Sequence, residues 1–319
     1  MSWQSLLNGS CLLMAALGFS SAALGKNPAT RAIALDEAAE TSIDLSQLDY
    51  IWQEEEAEER KTLLVWRSDA EQEGGPPGMD DPLASDRPDF TEASCTVGRG
   101  VCQIEMGYTY FHDDDGVTRT QAHSYPEMLV RVGVLAEWLE LRLAWNVGHE
   151  AVTTGGVRTT ASGVEDLYLG LKLGLTPQQG ILPEMALVPQ MTVPLGSAFG
   201  AERVLPGVNW LYGWEINDFL TTAGSTQINL SVDDGTGNEY VELAQSWTIG
   251  YTLAENLGMY TEWFVLSPVG ADTARTEHYF DMGFTYSFTN NIQWDIRAGK
   301  GVSAAAVDYF VGSGVVVRF

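Results

Sequence analysis

Tyr309-Phe310-Val311-Gly312-Ser313-Gly314-Val315-Val316-Val317-Arg318-Phe319 reads as a β-strand when taken in steps of two. One parity carries Phe319, Val317, Val315, Ser313, Val311 and Tyr309, and the other Arg318, Val316, Gly314, Gly312 and Phe310. The first face is largely apolar; the second is mostly small or charged. An apolar dyad face with an aromatic at each end, finishing on Phe319, is the pattern of the closing strand of a transmembrane β-barrel. In hydrocarbon every backbone N–H and C=O must be paired within the protein, so such a strand requires a closed barrel. Its expected partners are outer-membrane lipids and, through the Phe319 strand, the barrel assembly machinery.

The same period recurs upstream. The first strand sets Cys102, Ile104, Met106, Tyr108 and Tyr110 against Gln103, Glu105, Gly107 and Thr109. The third sets Leu139, Leu141, Leu143, Trp145 and Val147 against Glu140, Arg142, Ala144 and Asn146. Further strands are expected near 127–134, 166–174, 185–195, 209–216, 220–230, 241–249, 257–265, 280–286 and 292–297. That near 185–195 is interrupted by Pro189 and Pro194, which lack the ladder donor. The fold class is therefore all-β: an antiparallel up-and-down transmembrane barrel of about 12 strands, an even number. Short connections near 136–138, 217–219, 254–256 and 289–291 alternate with longer ones such as 149–163 and 196–207, as periplasmic turns alternate with outer loops. The connection at 176–184 is longer than its side predicts. A soluble sandwich would alternate too, with its apolar face turned inward. Aromatics near strand ends and glycine on the polar parity favour the membrane barrel.

Composition agrees. The 43 acidic and 17 basic residues give a net charge of −26, which excludes nucleic acid, whose binders need a basic footprint. Residues 1–23, with the apolar run 11–19 followed by small residues, are expected to be a signal peptide, although residues 1–10 carry no Lys or Arg. Residues 24–84 hold acidic blocks, notably Glu54-Glu55-Glu56-Ala57-Glu58-Glu59, and the cluster Gly74-Gly75-Pro76-Pro77-Gly78. Like charges and Gly/Pro clusters oppose compaction, so this acidic segment is expected to be mostly disordered in the periplasm. Cys95 and Cys102 stand near enough in sequence for a disulfide; Cys102, on the apolar parity, is equally well a small apolar residue.

Asp86-Arg87-Pro88-Asp89-Phe90-Thr91 precedes the first strand. With Glu105, the run from Glu127 to Arg131 and Gly133, the region of Gly163 to Asp166, Lys172, and the ending from Asp308 to Phe319, it resembles the MetA-pathway phenol-degradation family of outer-membrane proteins. The resemblance covers about residues 85–319. It implies an outer-membrane barrel of a Gram-negative-type bacterium that moves small molecules, with aromatic and apolar solutes as the candidates.

On the parity assignment the inward face carries Glu105, Glu127, Glu140, Asp166, Glu215, Glu242, Glu262, Asp281 and Asp295, against Arg131, Arg142, Lys172, Arg297 and Arg318. Such charges either pair across strands or line a solute path that filters by charge. A barrel of about 12 strands lies between filled small barrels and open porins, so a narrow or plugged path is expected. Asp86, Arg87, Asp89 and Phe90, within residues 85–99, are expected either to tuck inside as a plug or to cap the periplasmic rim. His112, His123, His149 and His278 fall in no nucleophile elbow or zinc helix, so no catalytic residue, metal or cofactor is assigned. Asp113-Asp114-Asp115-Gly116 reads as a tight acidic turn. The expected function is a channel or transporter for small solutes; a receptor or structural barrel and an outer-membrane hydrolase are the alternatives.

Overall fold

The computed structural model describes residues 60–66, 73–197 and 199–319; the signal peptide and the acidic run 36–59 lie outside these. In chain order the strands are β1 (Cys102–Asp114), β2 (Thr118–Gly133), β3 (Leu139–Thr154), β4 (Val157–Val164), β5 (Leu167–Thr176), β6 (Glu184–Val193), β7 (Leu205–Asn217), β8 (Leu220–Val232), β9 (Glu239–Ala254), β10 (Leu257–Val269), β11 (Glu277–Thr289), β12 (Ile292–Gly301) and β13 (Tyr309–Arg318). Consecutive strands pair antiparallel except β4 with β5, and β1 pairs with β13 from Gln103↔Arg318 to His112↔Tyr309, which closes the ring. β4 pairs with the outer half of β3 and β5 with its inner half, so these two segments form one stave broken at Glu165–Asp166, and the barrel has 12 staves.

Burial decides between a membrane barrel and a soluble sandwich. Trp145, Trp210, Trp247 and Trp294 are 42, 45, 41 and 39% exposed, whereas Glu105, Arg131, Glu140, Lys172 and Asp295 are 0% exposed. Apolar side chains thus face outward and charges inward, as lipid on the outside demands.

Several expectations change. Residues 149–163 are not a loop: β3 and β4 continue as a hairpin turning at Gly155-Gly156, whose φ values of 59° and 83° suit glycine. Beyond the bilayer both faces meet water, so the apolar parity fades while the ladder continues. Likewise β2 starts at Thr118, not near 127; a register shift between Tyr125 and Met128 moves the outward parity from odd to even residues.

The reading of residues 24–84 as mostly disordered does not hold for those described. The amides of Leu63 and Leu64 donate to the carbonyls of Gly174 and Leu175 at 2.8 and 2.7 Å, and Trp66 Nε1 donates to Pro177 O at 2.8 Å. Glu73 pairs with Gln178, and Leu83 N donates to Asn290 O at 2.9 Å. The long connection at 177–183 is therefore the dock for this strap. Backbone pairing to a turn leaves no trace in charge composition. Cys95 and Cys102 are both free thiols.

Candidate functional site

The chain from Ser85 to Val97 touches inward side chains of β1, β2, β3, β5, β6, β9, β10 and β12. Only a segment lying within the ring can reach so many staves. It is held at three levels.

At the first level, Asp86 meets three cations: Arg142 Nη1 at 2.7 Å, Lys172 Nζ at 2.9 Å and Arg131 Nε at 3.4 Å. Arg131 also grips Glu140 with two nitrogens, at 2.8 and 3.0 Å, and reaches Glu105 at 3.2 Å. Glu105 accepts the Asp86 amide, and Glu140 accepts the Val97 amide. Lys172 donates to Ala93 O at 2.8 Å. Glu92, outside the expected set, pairs with Arg142 at 3.0 Å. Burying so many charges is tolerable only because each finds an opposite partner and hydrogen bonds.

The second level is Arg87. Its Nη1 donates to Glu127 at 2.9 Å, while Nε and Nη2 hold Asp295 at 3.1 and 3.2 Å in a forked pair. Gly107 and Gly314 lie beneath this guanidinium, where a Cβ on either would overlap it. Arg297 completes the level, donating to Pro88 O at 2.8 Å and to Thr109 Oγ1 at 3.0 Å.

The third level lies across the ring. Glu262 accepts the amides of Phe90 and Thr91 at 2.6 and 2.8 Å, and the Thr91 hydroxyl. Asp281 stands opposite Glu262 in the β10–β11 ladder and accepts Tyr260 Oη at 2.8 Å. Asp89 is half-buried and near enough to Asp281 and Glu262 to interact with both electrostatically.

Four expected inward residues play other parts. Asp166 is half-buried and accepts the amides of Leu195 and Ala201, capping the 194–204 connection; Glu165, beside it, is the buried carboxylate and takes Asn146 Nδ2 at 2.9 Å. The break between β4 and β5 accounts for the exchange, since parity counted back from Lys172 stops at Leu167. Glu215 is exposed at the periplasmic rim. Arg318 binds Asn291 Oδ1 and the carbonyls of Met79 and Asp81, anchoring the strap. Glu242 is buried toward the outer end, with Tyr240 as its hydroxyl donor at 3.4 Å.

An aromatic run lies beside these charges and, apart from Phe90, outside the expected set. Phe90 stacks on Phe264 with centroids 4.5 Å apart, and Phe264 on Tyr279 at 4.7 Å. Phe310 follows at 6.2 Å from Tyr279, then Phe111 at 5.9 Å from Phe310. Phe264, Tyr279, Phe310 and Phe111 stand on the polar parity of four strands, which is the sequence signal that marks them, and Phe90 comes from the inner segment. Beside them is a cavity of about 160 Å³ whose lining joins Phe90, Phe264, Phe310 and Tyr168 to charged groups, Arg142, Arg297, Asp89 and Glu127 among them.

No curated protein matches the chain. Among solved structures, an outer membrane channel from Pseudomonas putida F1 aligns with TM-score 0.56 and 14% identity, covering 73% of this chain and 99% of that one. The KdgM porin aligns with TM-score 0.41 and 9% identity, over 67% and 99% of the respective chains. The translocator domain of the autotransporter NalP from Neisseria meningitidis aligns with TM-score 0.44 and 13% identity, over 72% and 90%. The first likeness shows a shared fold. The sequence pattern of the family described as "Putative MetA-pathway of phenol degradation" matches residues 85–319. With that match spanning most of the chain and β1 closing on β13, the protein belongs to this phenol-degradation family and is an outer-membrane β-barrel of the Gram-negative envelope.

Proposed function

We propose that the barrel is a channel for small apolar solutes, chiefly aromatic ones, and that residues 85–97 plug it at rest. The observation that carries this reading is the aromatic run from Phe90 through Phe264, Tyr279 and Phe310 to Phe111. Rings facing a barrel interior offer stacking surfaces for another ring, worth about 0.5–1.5 kcal/mol each beyond area burial. The cavity of about 160 Å³ beside them has the size of one that accepts benzene, roughly 150 Å³. Phe90 belongs to the plug itself, so a ring that competes for Phe264 loosens the plug where it enters. Solute transfer follows as replacement of one aromatic contact by another, while the charges of β1–β5 hold the remainder of the segment. The Phe319 strand serves as the signal to the assembly machinery.

The test is single-channel recording of the refolded chain in planar bilayers, with and without residues 85–93, during addition of phenol or cresol. The expected result is a small resting current, a large current after deletion, and a change of current on adding the aromatic that Phe264→Ala shifts to about tenfold higher concentration. A folded barrel whose current ignores both the deletion and the aromatic would overturn the proposal.

A further inference from the structure

All four histidines of the chain stand on the outward parity of their strands, His112 on β1, His123 on β2, His149 on β3 and His278 on β11. They gather at the ends of these strands away from the chain-entry rim, where the hairpins extend and the outer leaflet begins. The ladder sets Lys300 opposite Tyr309, Tyr309 opposite His112, and His112 opposite Gln121; one rung below, Tyr110 faces His123, and His123 faces His149. Ring centroids are 5.1 Å apart for His112 and Tyr309, 5.2 Å for Tyr110 and His123, and 5.8 Å for His123 and His149. One contiguous belt thus runs over β12, β13, β1, β2 and β3. On β8 and β9 the matching outer positions are Ile228, Val241 and Leu243, all exposed and apolar.

The belt is oriented by its own hydrogen bonds. Gln121 Nε2 donates to Tyr110 Oη at 2.9 Å, which leaves the Tyr110 hydroxyl proton for His112 Nδ1 at 3.4 Å. Tyr108 Oη lies 2.7 Å from His123 Nδ1. These contacts fix the positions of the two imidazoles through Nδ1 and leave Nε2 of each ring outside these Tyr–His contacts. The Lys300 ammonium is exposed beside them. Among the nearby carboxylates, Asp114 is paired with Arg119 at 2.8 Å, Asp115 accepts the amides of Val117 and Thr118, and Asp308 accepts the Asp114 amide at 3.0 Å, while Asp113 and Glu150 stand on the opposite, inward parity of β1 and β3.

We propose that this belt is a binding site for the phosphate groups of outer-leaflet glycolipid. An ammonium and imidazoles on the outward face, at the edge where the apolar band ends, match a phosphate, because lipid headgroup phosphates lie at that edge. Tyrosines there provide the amphipathic ring surface that suits the interface. The inference rests on the barrel lying in the outer membrane and not on its conducting anything.

The experiment uses the full refolded chain in a neutral detergent, offered lipid A or its dephosphorylated counterpart, with bound lipid counted by native mass spectrometry. The expected result is retention of lipid A about tenfold above the dephosphorylated form. The combined variant Lys300→Gln, His112→Gln, His123→Gln, His149→Gln should lose that preference, while Val241→Thr with Leu243→Thr keeps it. Folding is verified by the shift in gel mobility on heating. Should the combined variant fail to fold, Lys300→Gln alone, an exposed change, is expected to weaken retention about fivefold. Equal retention of the two lipids, unchanged preference in the folded combined or single variant, or a lipid-independent dimer that the variants dissolve would overturn the proposal.

Discussion

Gly107 on β1 and Gly314 on β13 face each other across the seam that closes the barrel, and the guanidinium of Arg87 lies over both. The absence of two side chains is what admits the forked bond from Arg87 to Asp295, so the seam and the inner segment are built for each other. Gly314→Val is expected to expel Arg87 while leaving the strand intact, since valine suits a pleated strand. Losing one partner of a buried pair costs roughly 3–5 kcal/mol, and the freed segment should raise the resting single-channel current. A variant that folds and conducts as the parent does would show that Arg87 does not hold the segment.

Asp86→Asn should be the most damaging single change within the segment. It leaves Arg131, Arg142 and Lys172 packed around a neutral amide, with an expected cost of roughly 3–5 kcal/mol by denaturant titration in lipid vesicles. Combining it with Lys172→Met, which removes one of the stranded cations, should recover part of the loss. If the double variant were as unstable as the sum of the two singles, the pair would not be coupled.

Phe264→Ala removes the ring between Phe90 and Tyr279. Deleting a buried phenyl group is expected to cost roughly 3–5 kcal/mol in stability. The charged anchors at Asp86 and Arg87 should still keep the resting current low. An aromatic solute should then act on the channel only at concentrations about tenfold higher, in line with the loss of one ring contact. An unchanged dose response would place the solute elsewhere in the barrel.

Asp233 ties the 233–238 connection to the 270–276 connection outside the membrane. Burial works against its charge, yet the Thr273 hydroxyl and the amides of Thr273, Ala274 and Gly235 hold its carboxyl well below the usual carboxylate range. A lowered value means the stabilisation is complete above the ordinary aspartate pKa of about 3.9 and fades only as pH falls through the lower folded value. Amide exchange in both connections should therefore stay slow down to about pH 4, and Asp233→Asn should speed it throughout. Release of the loops already at about pH 5 would contradict the assignment.

How much was legible follows from where lipid lies. Across the bilayer one face of every strand meets hydrocarbon and the other does not, so a period of two wrote the strands, their inward charges and the closing Phe319 strand into the sequence without reference to any partner. Outside the bilayer that contrast ends, which is why the β3–β4 hairpin, the early start of β2 and the strap at 60–66 and 73–84 had no such signal. Parity says which way a side chain points but not at what height it meets others. Arg87 and Asp295 are 208 residues apart, and the rings of Phe90, Phe264, Tyr279, Phe310 and Phe111 come from five separate stretches. Only the register of each ladder, its slip at Tyr125–Met128 and the closure of β1 on β13 bring them to one level. The amino-acid sequence by itself determined a barrel with charges inside, because lipid imposes that pattern on each strand separately. The pairing of those charges with the inner segment, and the aromatic run, were decided by the tertiary structure, because they depend on the relative heights of strands that only the closed ring sets.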